Sequence, residues 1–128
     1  MRPVRTPSDD RVRFPDLRRR LRSAVGNICG ESYQQRLWIR GERQTADELG
    51  FDDTLLVIVD ELEAFGEDIV GDVLLDASER SAFNALAEAI RRLTAAIGAT
   101  GTYTQAVGTE EWSVTVHAAH GLEPLLGR

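Results

Sequence analysis

The sequence predicts an all-α fold, a small single-domain orthogonal array of about five helices. Three segments repeat apolar residues every three or four positions, which is the spacing of one face of a helix. Glycine follows each segment where a helix would end, and no pair of alternating apolar segments with a short turn indicates a hairpin. With 128 residues the chain has the size of one domain. We expect residues 14–128 to form that domain and residues 1–13, which lack periodicity, to be a flexible arm containing arginine and proline.

The first helix is predicted to begin near Pro15 and to end before Gly30, because proline suits the first turn of a helix and glycine its end. Its apolar face holds five residues at helical spacing: Leu17, Leu21, Ala24, Val25 and Ile28. Four arginines are expected to face mostly away from that stripe: Arg18, Arg19, Arg20 and Arg22. A shorter helix is predicted over residues 31–41, with Tyr33 and Leu37 four positions apart.

The stretch FDDTLLVIVDELEAFG, residues 51–66, contains five consecutive aliphatic residues and would suit either a buried strand or a helix. A helix is favoured because apolar residues recur at helical spacing: Leu55, Ile58, Val59, Leu62 and Phe65. Asp52 or Asp53 is expected to cap the helix, where a carboxylate also suits the positive end of the helix dipole. Gly66 is expected to end it.

The longest predicted helix spans residues 76–98. Asp76 and Glu79 have the spacing of a capping box, in which each side chain bonds a backbone N–H of the first turn. The apolar face of this helix is formed by Phe83, Leu86, Ile90, Leu93 and Ile97. Residues 109–120 are interpreted as a further helix, although the alternation of apolar residues in this segment would also suit a strand.

Charge is divided unequally along the chain. Eight of the 15 arginines lie between Arg2 and Arg22, whereas the segment from Asp47 to Glu79 holds twelve carboxylates and no basic residue. The two segments could neutralise each other across the fold, or the acids could form a surface for a partner protein with a basic surface. Under the second interpretation, which we adopt, the candidate partner-binding residues are Asp47, Glu48, Asp52, Asp53, Asp60, Glu63, Glu67 and Asp68.

No motif for catalysis or cofactor binding is evident. The glycines form neither a phosphate loop nor a dinucleotide fingerprint, and the acids lack the spacing of a calcium-binding EF-hand loop. We therefore predict no enzymatic activity, no catalytic residue and no cofactor. The net charge of −6 argues against binding to nucleic acid, because the acids would be repelled by phosphate.

His117, His120 and Glu123 are spaced three residues apart and could present three metal ligands on one stripe of a helix. Gly121 and Pro124 are expected to interrupt the helix there, so no metal site is predicted. A metal-binding protein, or a hydrolase that uses the acid cluster or these histidines, stays an alternative.

The single cysteine, Cys29, lies among apolar residues and is interpreted as a small core residue. One cysteine forms no internal disulfide, which fits a reducing cytosol. No signal-peptide pattern is visible, and no apolar run approaches the ~20 residues that span a bilayer. We expect a cytoplasmic protein that binds neither membrane nor nucleic acid.

Several short motifs resemble a family of small uncharacterised cytoplasmic proteins from actinobacteria, over residues 14–120. Their order is Leu-Arg-x-Ala in the first helix, then YQQRLWIRG, FDDTLL, VGDVLLDASE and a long helix rich in Ala and Leu. The residues that carry the resemblance are Gln35, Trp38, Gly41, Asp53, Thr54, Leu55, Gly71, Leu74, Asp76 and Glu79. The resemblance supplies no catalytic residue. Size, acidity and layout are also similar to small immunity proteins, which block the active site of a toxin by binding to it.

The sequence thus favours a non-enzymatic protein-interaction module with an acidic helix face, of immunity type or a regulatory inhibitor. The main alternative is a self-associating structural domain, a homodimer formed through exposed apolar surface near Trp38 or Trp112.

Overall fold

The computed structural model describes residues 6–98 and 100–128. The α-helices, numbered α1 to α7, span Pro15–Cys29, Glu31–Tyr33, Phe51–Leu56, Ile69–Asp72, Ala77–Ile97, Tyr103–Ala106 and Glu110–Leu126. Tighter 3-10 turns lie at Pro7–Arg11 and Glu63–Asp68, and wider π-helical stretches at Gln34–Ile39 and Val57–Leu62. Within these two ranges the β-type contacts amount to one isolated bridge between Val70 and Leu74. When adjoining α-helical, π-helical and 3-10 stretches are counted together, five helical segments of the described residues have at least seven residues. The predicted all-α fold is confirmed.

The core forms where α7 packs against both α1 and α5. Leu21 of α1, Ile90 of α5 and Leu122 of α7 are fully buried there. Ile58, from the π-helical stretch that continues α3, is buried in the same cluster. Burial of each such side chain stabilises the fold by roughly 1.5–3 kcal/mol. Each helix is therefore held with its apolar side in the core, and its opposite side faces solvent.

The stretch 51–66 is helical through Leu62, as predicted, with Leu55, Ile58 and Leu62 on its buried side. The residue at the N-cap position is Gly50, so the expected aspartate cap is wrong; both aspartates lie in the first turn instead, where the helix dipole favours them. The chain bends at Gly66, whose φ of 59° is in the region that favours glycine.

Helix α5 begins and ends where the sequence places its signals. The Asp76 side chain caps it by accepting the Glu79 N–H at 3.0 Å, and Gly98, with φ of 88°, ends it. The Glu79 side chain, however, accepts the N–H of Leu75 at 2.8 Å rather than that of the cap residue. It turns into the interior, where it is fully buried.

Helix α7 confirms the helical interpretation of residues 109–120 and continues further. Thr109 caps it by accepting the Trp112 N–H at 3.1 Å. The expected interruption at Gly121 and Pro124 is wrong, since α7 runs on to Leu126. A proline removes one backbone hydrogen bond, and the burial of Leu126 holds the last turn in place.

The predicted arm differs from what is found over its described part. Pro7–Arg11 forms a 3-10 turn in which Asp9 is fully buried. The N–H groups of Arg13 and Phe14 donate at 2.8 Å to the carbonyls of Gly71 and Asp72. These bonds attach the segment to the turn before α5, so residues 6–13 are packed. Residues 1–5 lie outside the described residues, and for them flexibility stays a prediction.

Candidate functional site

The predicted partner-binding acids separate into two groups. Five of them are exposed and, in the part of the chain that the structure describes, form no close ion pair, although Asp53 interacts electrostatically with Arg20; we call these five the acidic surface: Asp52, Asp53, Asp60, Glu67 and Asp68. They lie on α3, on the π-helical stretch that follows it and on the turn that ends it. The buried side of the helix holds Asp52, Asp53 and Asp60 in position, whereas Glu67 and Asp68 follow the bend at Gly66.

The other predicted acids are engaged within the molecule or lie elsewhere. Glu48 forms a two-pronged ion pair with Arg36 and accepts the Gln44 N–H at 2.6 Å. The hydrogen bond from Arg36, partly opposed by desolvation, lowers the pKa of Glu48 to about 2. Glu63 pairs with Arg91 on α5. Asp47 lies beside Glu48 in a separate recess. Neutralisation across the fold therefore accounts for some of the acids but, apart from the interaction of Asp53 with Arg20, not for the acidic surface.

An exposed leucine interrupts the acidic surface. Leu56 is 48% exposed, although its neighbours Leu55 and Val57 are buried. Asp52 and Asp60 lie four residues before and after it, and residues four apart are neighbours on one side of a helix. An apolar side chain thus stands in solvent between unpaired carboxylates.

The two tryptophans belong to an aromatic cluster inside the fold. Trp38 packs edge-to-face on Tyr103 at 5.2 Å and on Phe51 at 5.5 Å between ring centroids, and Tyr103 packs on Trp112 at 5.7 Å. Trp112 is 6% exposed, and the indole N–H of Trp38 donates to the Leu49 carbonyl at 3.0 Å. The tryptophans are therefore structural, and exposed apolar side chains occur within five positions of them in sequence, at Ile39, Val107 and Val114.

Gln34, rather than the motif residue Gln35, makes the buried contacts of the second helix. Gln35 is exposed, whereas Gln34 accepts the Tyr103 hydroxyl and donates to the Asn27 and Ile28 carbonyls, each at 2.8 Å. Sequence reasoning missed this residue. Its position three residues before the buried Leu37 is the signal that would have found it.

The remaining motif residues have structural positions. Thr54 is buried and Asp53 is exposed beside it. Gly41 and Gly71 have φ of 71° and 103°, which favour glycine.

A buried ion pair joins α1 to α5. Arg18 is fully buried and binds Glu79 through two parallel hydrogen bonds of 2.7 and 2.9 Å. It also donates to the Ser8 hydroxyl at 3.1 Å and to the Val73 carbonyl at 3.1 Å. Burial would raise the pKa of Glu79, but the hydrogen bonds that it accepts outweigh burial and lower that pKa. The expectation that Arg18 faces away from the apolar stripe is wrong: Arg18 points into the interior, where it binds the Glu79 carboxylate of α5.

A second ion pair ties the N-terminal turn to the end of the chain. Arg22 binds both carboxylate oxygens of Asp9 at 2.8 Å and donates to the Leu126 carbonyl at 3.2 Å. Burial of Asp9 raises its pKa, but the hydrogen bonds from Arg22 and from the Thr6 N–H prevail and bring it to about 2. Arg128 completes the arrangement by donating to Glu79 at 2.7 Å. These contacts are intramolecular and indicate a structural role.

One group of possible metal ligands is assembled from two helices. The ligand atoms of Cys29, His120 and Glu123 all lie within 4.8 Å of one another. The predicted partner His117 is exposed and not part of this group. Sequence reasoning missed Cys29, which is half-buried at the end of α1. Burial, and then the negative charge of Glu123, raise the pKa of the Cys29 thiol to about 12, so the unliganded thiol is a poor nucleophile.

Residues 6–98 and 100–128 contain no helix that combines the length and the apolar character needed to cross a membrane. Comparison with curated proteins and with solved structures finds no match. A family model described as a domain of unknown function, DUF7945, matches residues 12–126. The match extends from the buried Val12 to the buried Leu126 and so includes every helix from α1 to α7. The chain therefore belongs to the DUF7945 family.

Proposed function

We propose that the protein is a non-enzymatic interaction module that binds a partner protein with a basic surface through its acidic surface. The observation that carries this proposal is the exposed Leu56 between Asp52 and Asp60. Unpaired carboxylates attract and orient a cationic partner, and a leucine that becomes buried on contact adds affinity. The charges steer the encounter while the apolar side chain anchors it.

The rigidity of the supporting helix favours binding. Leu55, Ile58 and Leu62 fix the opposite side of the helix in the core, so the acidic surface is ordered before a partner arrives. A preorganised surface loses less conformational entropy on binding than a flexible one.

The finer proposal is an immunity-type or regulatory inhibitor that acts in the cytoplasm of an actinobacterium. A toxin or enzyme that acts on nucleic acid needs a basic active-site surface to bind phosphate. An acidic helix face can occupy such a surface and exclude the substrate. A toxin gene beside the gene for this protein would support this role.

The test compares two double charge reversals of equal net charge. Asp52→Lys with Asp60→Lys alters the acidic surface, whereas Glu31→Lys with Glu110→Lys alters two exposed acids outside it that likewise form no ion pair among the described residues. Each protein is used to capture partners from native cytosol at low and high salt, followed by mass spectrometry. We expect one basic protein to be retained by the wild type and by the control and to be lost from the first variant.

Leu56→Ser serves as a charge-neutral probe of the same surface. It should weaken capture of that protein without changing the helical circular dichroism signal. Equal capture by both double variants would refute the proposed surface.

The second candidate is a homodimer, favoured by the exposed Ile39, Val107 and Val114, each about half exposed. Sedimentation equilibrium of the purified chain distinguishes the homodimer from the partner-binding module, because a homodimer forms without any other protein.

A further inference from the structure

Cys29, His120 and Glu123 bring a thiol, an imidazole and a carboxylate together on one side of the molecule. This combination of sulfur, nitrogen and oxygen ligands suits zinc, which is commonly held by cysteine, histidine and acidic side chains in tetrahedral geometry. We propose that these three residues bind one Zn²⁺ ion, with a water molecule or another small ligand in the fourth position.

Two helices, α1 and α7, supply the three side chains. His120 and Glu123 are three residues apart on α7 and therefore lie on the same side of that helix. Cys29 is the last residue of α1, which packs along α7. The ligand atoms of a tetrahedral zinc site are about 3–4 Å apart. The present separations of at most 4.8 Å exceed that spacing by no more than about 1–2 Å.

The half-buried Glu123 carboxylate has no arginine partner, in contrast to the carboxylates of Glu48 and Glu63. Glu48 and Glu63 are each paired with an arginine, whereas Glu123 makes no side-chain hydrogen bond or ion pair with the rest of residues 6–98 and 100–128. It lies instead against Gly26 of α1, where an added Cβ atom would be 3.8 Å from its Oε2. A cation bound between Glu123 and Cys29 would supply the missing positive charge.

The fourth coordination position has access to solvent. Gly26 and Glu123 both line an open recess of about 970 Å³ between α1 and the residues around Tyr33 and Glu48. A zinc ion held by three protein ligands therefore keeps an exchangeable position, which distinguishes it from a closed structural site.

The test uses the reduced full-length protein and measures metal content and spectra. Zinc is titrated and quantified after dialysis, and Co²⁺ is used as a coloured substitute. We expect about one equivalent of zinc per chain and a near-ultraviolet charge-transfer band from a cobalt–thiolate bond. Cys29→Ser should abolish that band.

His117, which is on the same helix as His120 but not part of the site, provides the matched control. His120→Asn should weaken zinc binding by more than about tenfold, because it removes a direct ligand, whereas His117→Asn should leave binding unchanged. Less than about a tenth of an equivalent of bound zinc, equal losses for the two histidine variants, or a cobalt complex without a thiolate band would overturn the proposal. The acidic surface shares no residue with this site, so the two proposals are tested separately.

Discussion

At the scale of single residues, Arg18 is the side chain whose position is least expected. A guanidinium is costly to bury, and it is stable in an interior only when its N–H groups find acceptors. Here Glu79, Ser8 and the Val73 carbonyl all accept hydrogen bonds from it. The two parallel bonds to Glu79 have the geometry that arginine makes better than lysine.

Removal of Arg18 should therefore be strongly destabilising. We expect Arg18→Met to lower the free energy of unfolding by about 3–5 kcal/mol, because Glu79 loses its buried counter-ion. Arg18→Lys should be destabilising as well, since an ammonium group cannot make both bonds to the carboxylate. Urea denaturation followed by circular dichroism measures the free energy of unfolding of both variants.

Arg19→Met is the control for this prediction. Arg19 is the next residue and pairs with the exposed Asp16, so its substitution should cost less than about 1 kcal/mol. Similar losses for Arg18→Met and Arg19→Met would show that the buried pair contributes no special stability.

At the scale of elements, hydrophobic periodicity identified the helices well. The apolar positions of α5 that were read from the sequence include Phe83, Leu86, Ile90 and Leu93, and all four are buried. In the stretch 51–66, the same periodicity correctly favoured a helix. It gave no sign of the π-helical stretch over Val57–Leu62, because the buried Ile58 and Leu62 are four positions apart, a spacing that an α-helix shows as well.

Two adjacent positions in α5 test this periodicity. Ile90→Asp should unfold the domain, because it places a carboxylate in a fully buried apolar site without a partner. Arg91→Glu should keep the fold and cost about 1 kcal/mol or less, since Arg91 is exposed and its pairs with Glu63 and Glu88 are at the surface. Circular dichroism and thermal unfolding compare the two variants. A folded Ile90→Asp protein would contradict the assignment of Ile90 to the buried side of α5.

At the scale of the whole molecule, the buried ion pairs hold the two ends of the described chain together. The Ser8 N–H donates to the Arg128 carbonyl at 3.2 Å, and Arg22 reaches from Asp9 to the Leu126 carbonyl. Arg128 in turn contacts Glu79 at the start of α5. These contacts join the N-terminal turn, α1, α5 and the end of α7 into one charged network inside the domain.

This network predicts loss of stability in acid. The pKa of Asp9 is lowered from 3.8 to about 2 in the folded protein, and that of Glu79 is also lowered. A depressed carboxylate pKa stabilises the fold fully above the unfolded value and ceases to do so as the pH falls through the folded value. We therefore expect the unfolding temperature to fall as the pH is lowered from about 5 to 2.

Asp9→Asn separates this effect from general acid denaturation. The variant should be less stable than the wild type at neutral pH and should lose less of its remaining stability between pH 5 and 2, measured by thermal unfolding at about six pH values. Parallel pH profiles for the two proteins would show that Asp9 does not contribute to the acid transition.

Local sequence patterns were enough to predict the helical class, most helix ends and the segment that carries the acidic surface. These features depend on contacts between residues three or four positions apart and on the conformations of glycine and proline, which are local properties of the chain. The packing of the helices, in contrast, is what buries Arg18 and not Arg19 and what brings Cys29 close to His120 and Glu123. Arg18 and Glu79 are 61 positions apart, so their pairing depends on how whole helices pack, which no local pattern encodes.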